Sequence, residues 1–199
     1  MPARRILGVT IGLLILLTGC QTAEPVQRLP ELRFNHLLPI KIDVGAIEVL
    51  SHHEPLFRAP YVEHIMPVSP ERAAHQWAHD RLKAVGSSER RAVFIVRQAH
   101  VVEKQLAADM DFTRYFKKQQ SERYDAHLDV VLEIRDENGR AIGEATATAN
   151  RGRTVAEDIT PNERDRIWQE MVEALLIDMN NVLESAMQQH LARYVSLLP

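Results

Sequence analysis

Cys20 is the only cysteine in 199 residues. A lone cysteine closes no intramolecular disulfide, so in an oxidising compartment packing alone must hold the fold. Glycine is sparse as well: the five that follow Cys20 (Gly45, Gly86, Gly139, Gly143 and Gly152) form no phosphate-cradling loop. No Gly-x-Ser-x-Gly elbow presents a nucleophilic serine. The apolar segment Ile6 to Leu17 gives way to polar residues just after Cys20, short of the roughly 20 residues a spanning helix needs. Positive charge is not in excess, with a formal net charge of −3. That balance argues against a general nucleic-acid binder.

What is present begins at the N-terminus. Arg4 and Arg5 precede the apolar segment, and the small residues Thr18 and Gly19 precede Cys20. A charged region, an apolar region and small residues before a cleavage point are the layout of a secretory signal. A nucleophile inside a removed leader would be lost, which leaves Cys20 as an attachment point. Leu17-Thr18-Gly19-Cys20 resembles the lipobox of bacterial lipoproteins. The resemblance implies that residues 1–19 are a signal peptide and that Cys20 becomes the first mature residue, carrying a thioether-linked diacylglycerol and an acylated amine. Two or more acyl chains hold a protein stably on a bilayer. In families sorted by the residue after the cysteine, aspartate there tends to retain the protein at the inner membrane. Gln21 therefore implies the outer membrane, with the protein facing the periplasm.

Loss of residues 1–19 leaves 180, enough for one domain with a real core. Without Arg4 and Arg5 the 24 basic residues become 22 against 27 acidic ones, a formal −5. Residues 20–40 carry three prolines and no regular period, and read as a lipid-anchored tether. As a flexible coil the tether would span roughly 25 Å. The alternative is that Leu29, Leu32, Phe34, Leu37 and Leu38 pack on the domain.

Residues 41–199 read as a single α+β domain. Residues 41–51 are strand-like, with a phase shift across Gly45-Ala46 that a bulge would explain. A helix follows, with Ser69 as N-cap, Pro70 at its first position and Gly86 as C-cap, and an apolar stripe of Ala74, Trp77, Ala78, Leu82 and Val85. Residues 90–106 are rich in β-branched side chains, and 124–136 alternate apolar and polar, the period of a half-buried strand. Asn138-Gly139 predicts a two-residue type I′ hairpin, placing Ile134, Leu132, Val130 and Leu128 opposite Gly143, Ala145, Ala147 and Ala149. Large then faces small at every pair, which suits a closely packed helix. Thr160, Pro161 and Glu163 open a helix of about 30 residues with a capping box and a broad apolar stripe from Ile167 to Met187. The expected order is strand-helix-strand-strand-strand-helix: a two-layer sandwich of one four-stranded antiparallel or mixed sheet with both helices on one face.

Few residues point to chemistry. His75 and His79 stand four apart on the first helix, a spacing that lets two imidazoles share a metal, but Gln76 stands where a zinc protease has its general base. Solvated histidines flanking an apolar stripe explain the pair more simply. His52, His53, Glu54, Glu63 and His64 are metal-ligand types without a recognised spacing, and the histidines read as exposed loop residues. No cofactor or catalytic residue is therefore assigned. The connection between the two middle strands interleaves Phe112, Tyr115 and Phe116 with Arg114, Lys117 and Lys118. On an acidic protein this basic, aromatic patch is the best candidate for partner binding, although it would also suit a simple hairpin extension.

The element order behind a lipid anchor resembles that of small envelope lipoproteins such as the lipopolysaccharide-assembly lipoprotein and the auxiliary lipoproteins of lipid-transporting ABC systems. The resemblance implies a non-enzymatic accessory protein, anchored to the membrane through Cys20, that binds a membrane protein or lipid carrier. The alternatives are a metal-dependent hydrolase built on the clustered histidines and a structural component that binds peptidoglycan or glycolipid.

Overall fold

The computed structural model describes residues 29–86, 89–106, 120–156 and 159–196. Ser69 and Thr160 set the starts of the two α-helices among the described residues. Ser69 Oγ accepts the Arg72 N–H at 3.3 Å and opens α1, Pro70–Arg81. Thr160 Oγ1 accepts the Glu163 N–H at 3.3 Å while Glu163 Oε2 accepts the Thr160 N–H at 2.9 Å, and this reciprocal pair opens α2, Pro161–His190. Around them lie β1 (Ile40–Ile42), β2 (Ala46–Ser51), β3 (Leu82–Ala84), β4 (Arg91–Gln105), β5 (Gln120–Arg135), β6 (Ala141–Ala156) and β7 (Val195–Ser196). The protein is α+β as expected, but the described strands form two sheets, a three-stranded one in the order β3-β1-β7 and a four-stranded one in the order β2-β4-β5-β6. The four-stranded sheet is mixed: β2 and β4 are parallel, joined by a crossover through α1, and the other pairs are antiparallel.

The phase shift at Gly45-Ala46 is not a bulge. It is the point where one apparent strand becomes two. Val44 N–H donates to Ile42 O at 2.8 Å and Gly45 N–H donates to Arg90 O at 3.0 Å, so the chain leaves one sheet and enters the other within three residues. The first helix also ends earlier than its pattern predicts. Leu82 adopts extended backbone angles and pairs with Ile40, so residues 82–84 are recruited by β1 as a parallel strand. Leu82 is still buried, but Val85, read as part of the helical stripe, is 59% exposed. Gly86 is not a C-cap; a Cβ there would lie 2.7 Å from the backbone nitrogen of Val44, so glycine permits the two sheets to meet. The very short β7 carried no sequence signal. It completes the small sheet by pairing Val195 with Ile42.

The β5–β6 register is as expected: Ile134, Leu132, Val130 and Leu128 face Gly143, Ala145, Ala147 and Ala149. The turn that delivers it is different. Only Gly139 has positive φ, at 78°, among the described residues; its N–H donates to Asp136 O at 3.0 Å, and Asp136 N–H donates to Arg140 O at 2.9 Å. The loop therefore holds three residues, Glu137 to Gly139, with glycine in the left-handed position. A register shift beside it, where Arg135 faces Ala141 and Ile134 faces Gly143, restores the count. Two one-residue departures cancel.

Both helices pack on one face of the four-stranded sheet, α2 chiefly along β6 and α1 over β4. Ala145, Ala147 and Ala149 let α2 approach, and Trp168, Met171, Val172, Leu175, Leu176, Met179, Leu183 and Met187 are buried against them and their neighbours. Each such side chain contributes roughly 1.5–3 kcal/mol when fully buried. The helices are joined by buried polar contacts: Trp77 Nε1 donates to Asn180 Oδ1 at 3.0 Å, and the buried Arg81 guanidinium pairs with Glu184. In the segment expected as tether, Leu32 and Phe34 are buried, whereas Leu38 is 59% exposed.

Candidate functional site

Among the described residues, the other face of the four-stranded sheet carries no α-helix. Alternation along β4 sends Ala92, Phe94 and Val96 into the main core and Val93 and Ile95 to the opposite face, where they form a small apolar cluster with Val131. A register shift between Val96 and Gln98 then inserts Arg97, and the alternation resumes one residue later. That shift places Gln98, His100, Val102 and Lys104 on the helix-free face, opposite Asp129, His127, Asp125 and Arg123 of β5.

Across this face runs one row of rings and an amide. Tyr61, bridged to β4 at Val102, meets the His100 ring edge-on at 6.0 Å. His100 stacks on His127, with centroids 4.9 Å apart and planes 30° apart. His127 Nδ1 lies 2.8 Å from Asn150 Oδ1 on β6, so Nδ1 carries the proton of that hydrogen bond. Parallel to the row runs a second wall: Lys104 Nζ and Arg123 Nε each donate to Asp125 at 2.8 Å. Between the walls lies a trough floored at Gly152, where a Cβ would sit 2.3 Å from Arg123 Nη2. Glycine is what allows the guanidinium to lie across β6.

The electrostatics follow from these contacts. Burial, and then the neighbouring His127, hold the His100 pKa below its ordinary 6.5; Glu63 opposes the shift and His53 adds to it. Glu63 is itself buried and accepts the Val101 N–H at 3.1 Å. The hydrogen bond from Lys104, followed by the Arg123 contacts, holds the Asp125 carboxyl below the usual carboxylate range despite some desolvation. Lys104 and Arg123 share one carboxylate, that of Asp125, so this wall carries one positive charge in excess. Such a surface offers N–H donors and flat imidazole faces to acidic or hydroxyl-bearing groups.

The histidines singled out in the sequence are distributed differently. His75 is half-buried and His79 exposed on α1, while His52, Glu54 and His64 are exposed. Only His53 and Glu63 from the loop set act on the trough, through His100. Among the described residues no group of three or more His, Cys, Asp or Glu side chains is arranged to hold a metal. Cys20 and the patch Phe112, Arg114, Tyr115, Phe116, Lys117 and Lys118 lie outside the described residues. Sequence reasoning missed His100 and His127. Each sits on the polar phase of its strand, but their meeting depends on the β4–β5 register and on the irregularity at Arg97, neither of which leaves a local sequence signal.

No helix among the described residues is long and apolar enough to cross a membrane. No protein-family model matches the chain, and no curated protein matches it in sequence. A solved structure of a minor lipoprotein from Acinetobacter baumannii is loosely similar, at 13% identity and a TM-score of 0.34, over 74% of this chain and 90% of that one. A superposition that loose carries no argument about function.

Proposed function

We propose that the protein is a non-enzymatic lipoprotein of the bacterial cell envelope, held by acyl chains on Cys20 at the periplasmic face of the outer membrane, and that it acts as an accessory or assembly factor for a membrane-protein or lipid-transport partner. The address rests on Leu17-Thr18-Gly19-Cys20 at the end of a signal-like segment. The observation that carries the binding role is the helix-free sheet face, where His100, His127 and Asn150 form one wall of a trough, with Tyr61 against His100, and Lys104 and Arg123 form the other. A sheet face with one positive charge in excess on that wall is suited to receive an acidic surface of another protein. The proposed patch, Phe112 and residues 114–118, belongs to the connection between β4 and β5, the two strands that supply Lys104 and Arg123. Trough and patch are thus assigned to one partner.

Crosslinking in intact envelopes followed by affinity recovery of the full chain tests this reading. A discrete partner is expected with the wild type. Lys117→Glu with Lys118→Glu, and separately Arg123→Glu, should each reduce its recovery several-fold. Undiminished recovery with the first pair removes the patch from the interface, and undiminished recovery with the second removes the trough.

A further inference from the structure

The loop ahead of α1 carries large apolar side chains that the core does not use. Leu56 is 40% exposed, Phe57 74% and Ile65 58%, all within ten residues. Phe57 and His64 meet edge to face with ring centroids 5.5 Å apart, so the two limbs of the loop present one surface. Beneath it the loop is pinned: Tyr61 N–H donates to Arg58 O at 3.0 Å, Val62 N–H donates to Val101 O at 3.0 Å, and Val62 and Met66 are buried. The apolar tip is therefore held outward by a fixed base. Isolated exposed apolar residues need no explanation, but a pinned cluster of three, with an aromatic at its tip, calls for an occupant.

The route of the chain indicates which one. Leu29 to Leu32 line a cleft with Pro67, Val68 and Arg72, next to the end of this loop and at the N-terminal end of α1. Cys20 precedes Leu29 by nine residues, a stretch that reaches at most about 30 Å when fully extended. As a flexible coil it averages roughly 15–18 Å. Because the chain enters the domain beside Pro67 and Val68, an anchor at Cys20 tethers the domain by its loop end, whereas Val85, also exposed, lies beyond the opposite end of α1. Arg58, next to Phe57 and exposed, is placed to meet anionic headgroups, as interfacial loops and helices combine apolar and cationic side chains.

We infer that Leu56, Phe57 and Ile65 seat the domain on the surface of the bilayer that holds its lipid anchor, an inference that rests on the lipidation of Cys20. The seat sets orientation: the domain does not swing freely on a tether but meets the membrane by one defined end.

The full lipidated chain, reconstituted in vesicles of phosphatidylethanolamine and phosphatidylglycerol with bromines placed shallowly on the acyl chains, tests this directly. Trp77 and Trp168 are both buried, 0% and 4% exposed, and supply a constant background. In the Phe57→Trp variant the added emission should shift to the blue and fall by at least about half with brominated lipid, while that of Val85→Trp should remain water-like and unquenched. If the protein carries lipid and floats with the vesicles but the Phe57→Trp emission is unquenched, the seat is overturned and the lipidation reading stands. A blue shift that grows with protein concentration without quenching assigns the loop to a second copy and likewise overturns it. If Cys20 carries no lipid and the protein does not float, the anchor reading fails and the seat fails with it.

Discussion

His100 and His127 stand face to face across β4 and β5, and the neighbouring ring makes a proton on His100 more costly. Burial adds to that cost for His100, and the buried Glu63 carboxyl only partly offsets it. Above the unfolded imidazole value near 6.5 both states leave His100 neutral, and its full contribution is present. As pH falls below that value the unfolded chain takes up the proton first, so stability is lost through the window down to the lower folded pKa. Urea midpoints measured between pH 7 and pH 5 should therefore fall with pH, and His100→Gln should flatten part of that slope. An identical slope in the variant would show that other groups control the acid limb. At this scale the sequence reveals side-chain type and strand phase but not meetings between strands: His100 and His127 are 27 positions apart, and only the sheet stacks them.

Among the elements, the β5–β6 hairpin with α2 shows how local chemistry and tertiary contact divide the work. The alanines at 145, 147 and 149 are buried beneath α2, opposite the large side chains of β5. Ala147→Leu should destabilise the protein by roughly 1–3 kcal/mol, because the added carbons meet a packed helix and not a void. The loss should appear in the denaturant midpoint, and a neutral result would mean that α2 rides higher on the sheet than its burial indicates. Register was legible here because a period of two leaves one acceptable face, so the pairing held although the turn is of another type. The end of α1 was not legible: an apolar stripe continues through Leu82 and Val85, and pairing with β1 overrides it. Helical periodicity records which side chains prefer burial, whereas the site of strand pairing depends on a partner some 40 residues away.

For the molecule as a whole, the expected sandwich is present in its layers and incomplete in its strands. Both helices cover one face of a mixed four-stranded sheet, and a second sheet of three very short strands closes the structure beside it. The anchor adds a test at the same scale. Cys20→Ser should move the protein from the membrane fraction to the soluble one and abolish incorporation of a labelled lipid precursor, since acyl chains are the proposed attachment. An unchanged membrane fraction without lipid label in the wild type would instead indicate a retained signal helix.

The helix starts, the alternating strands and their apolar faces, the α+β class and the lipobox-like segment that proposes an address are all legible in the residues alone. These are local properties, written in caps, periods and short motifs that physical chemistry reads within a few residues. The division into two sheets at Gly45, the early end of α1, and the assembly of Tyr61, His100, His127 and Asn150 into one row come from long-range contact. Each of those depends on backbone groups or rings brought together from distant parts of the chain, and the free energy of such meetings is set by the partner as much as by the residue.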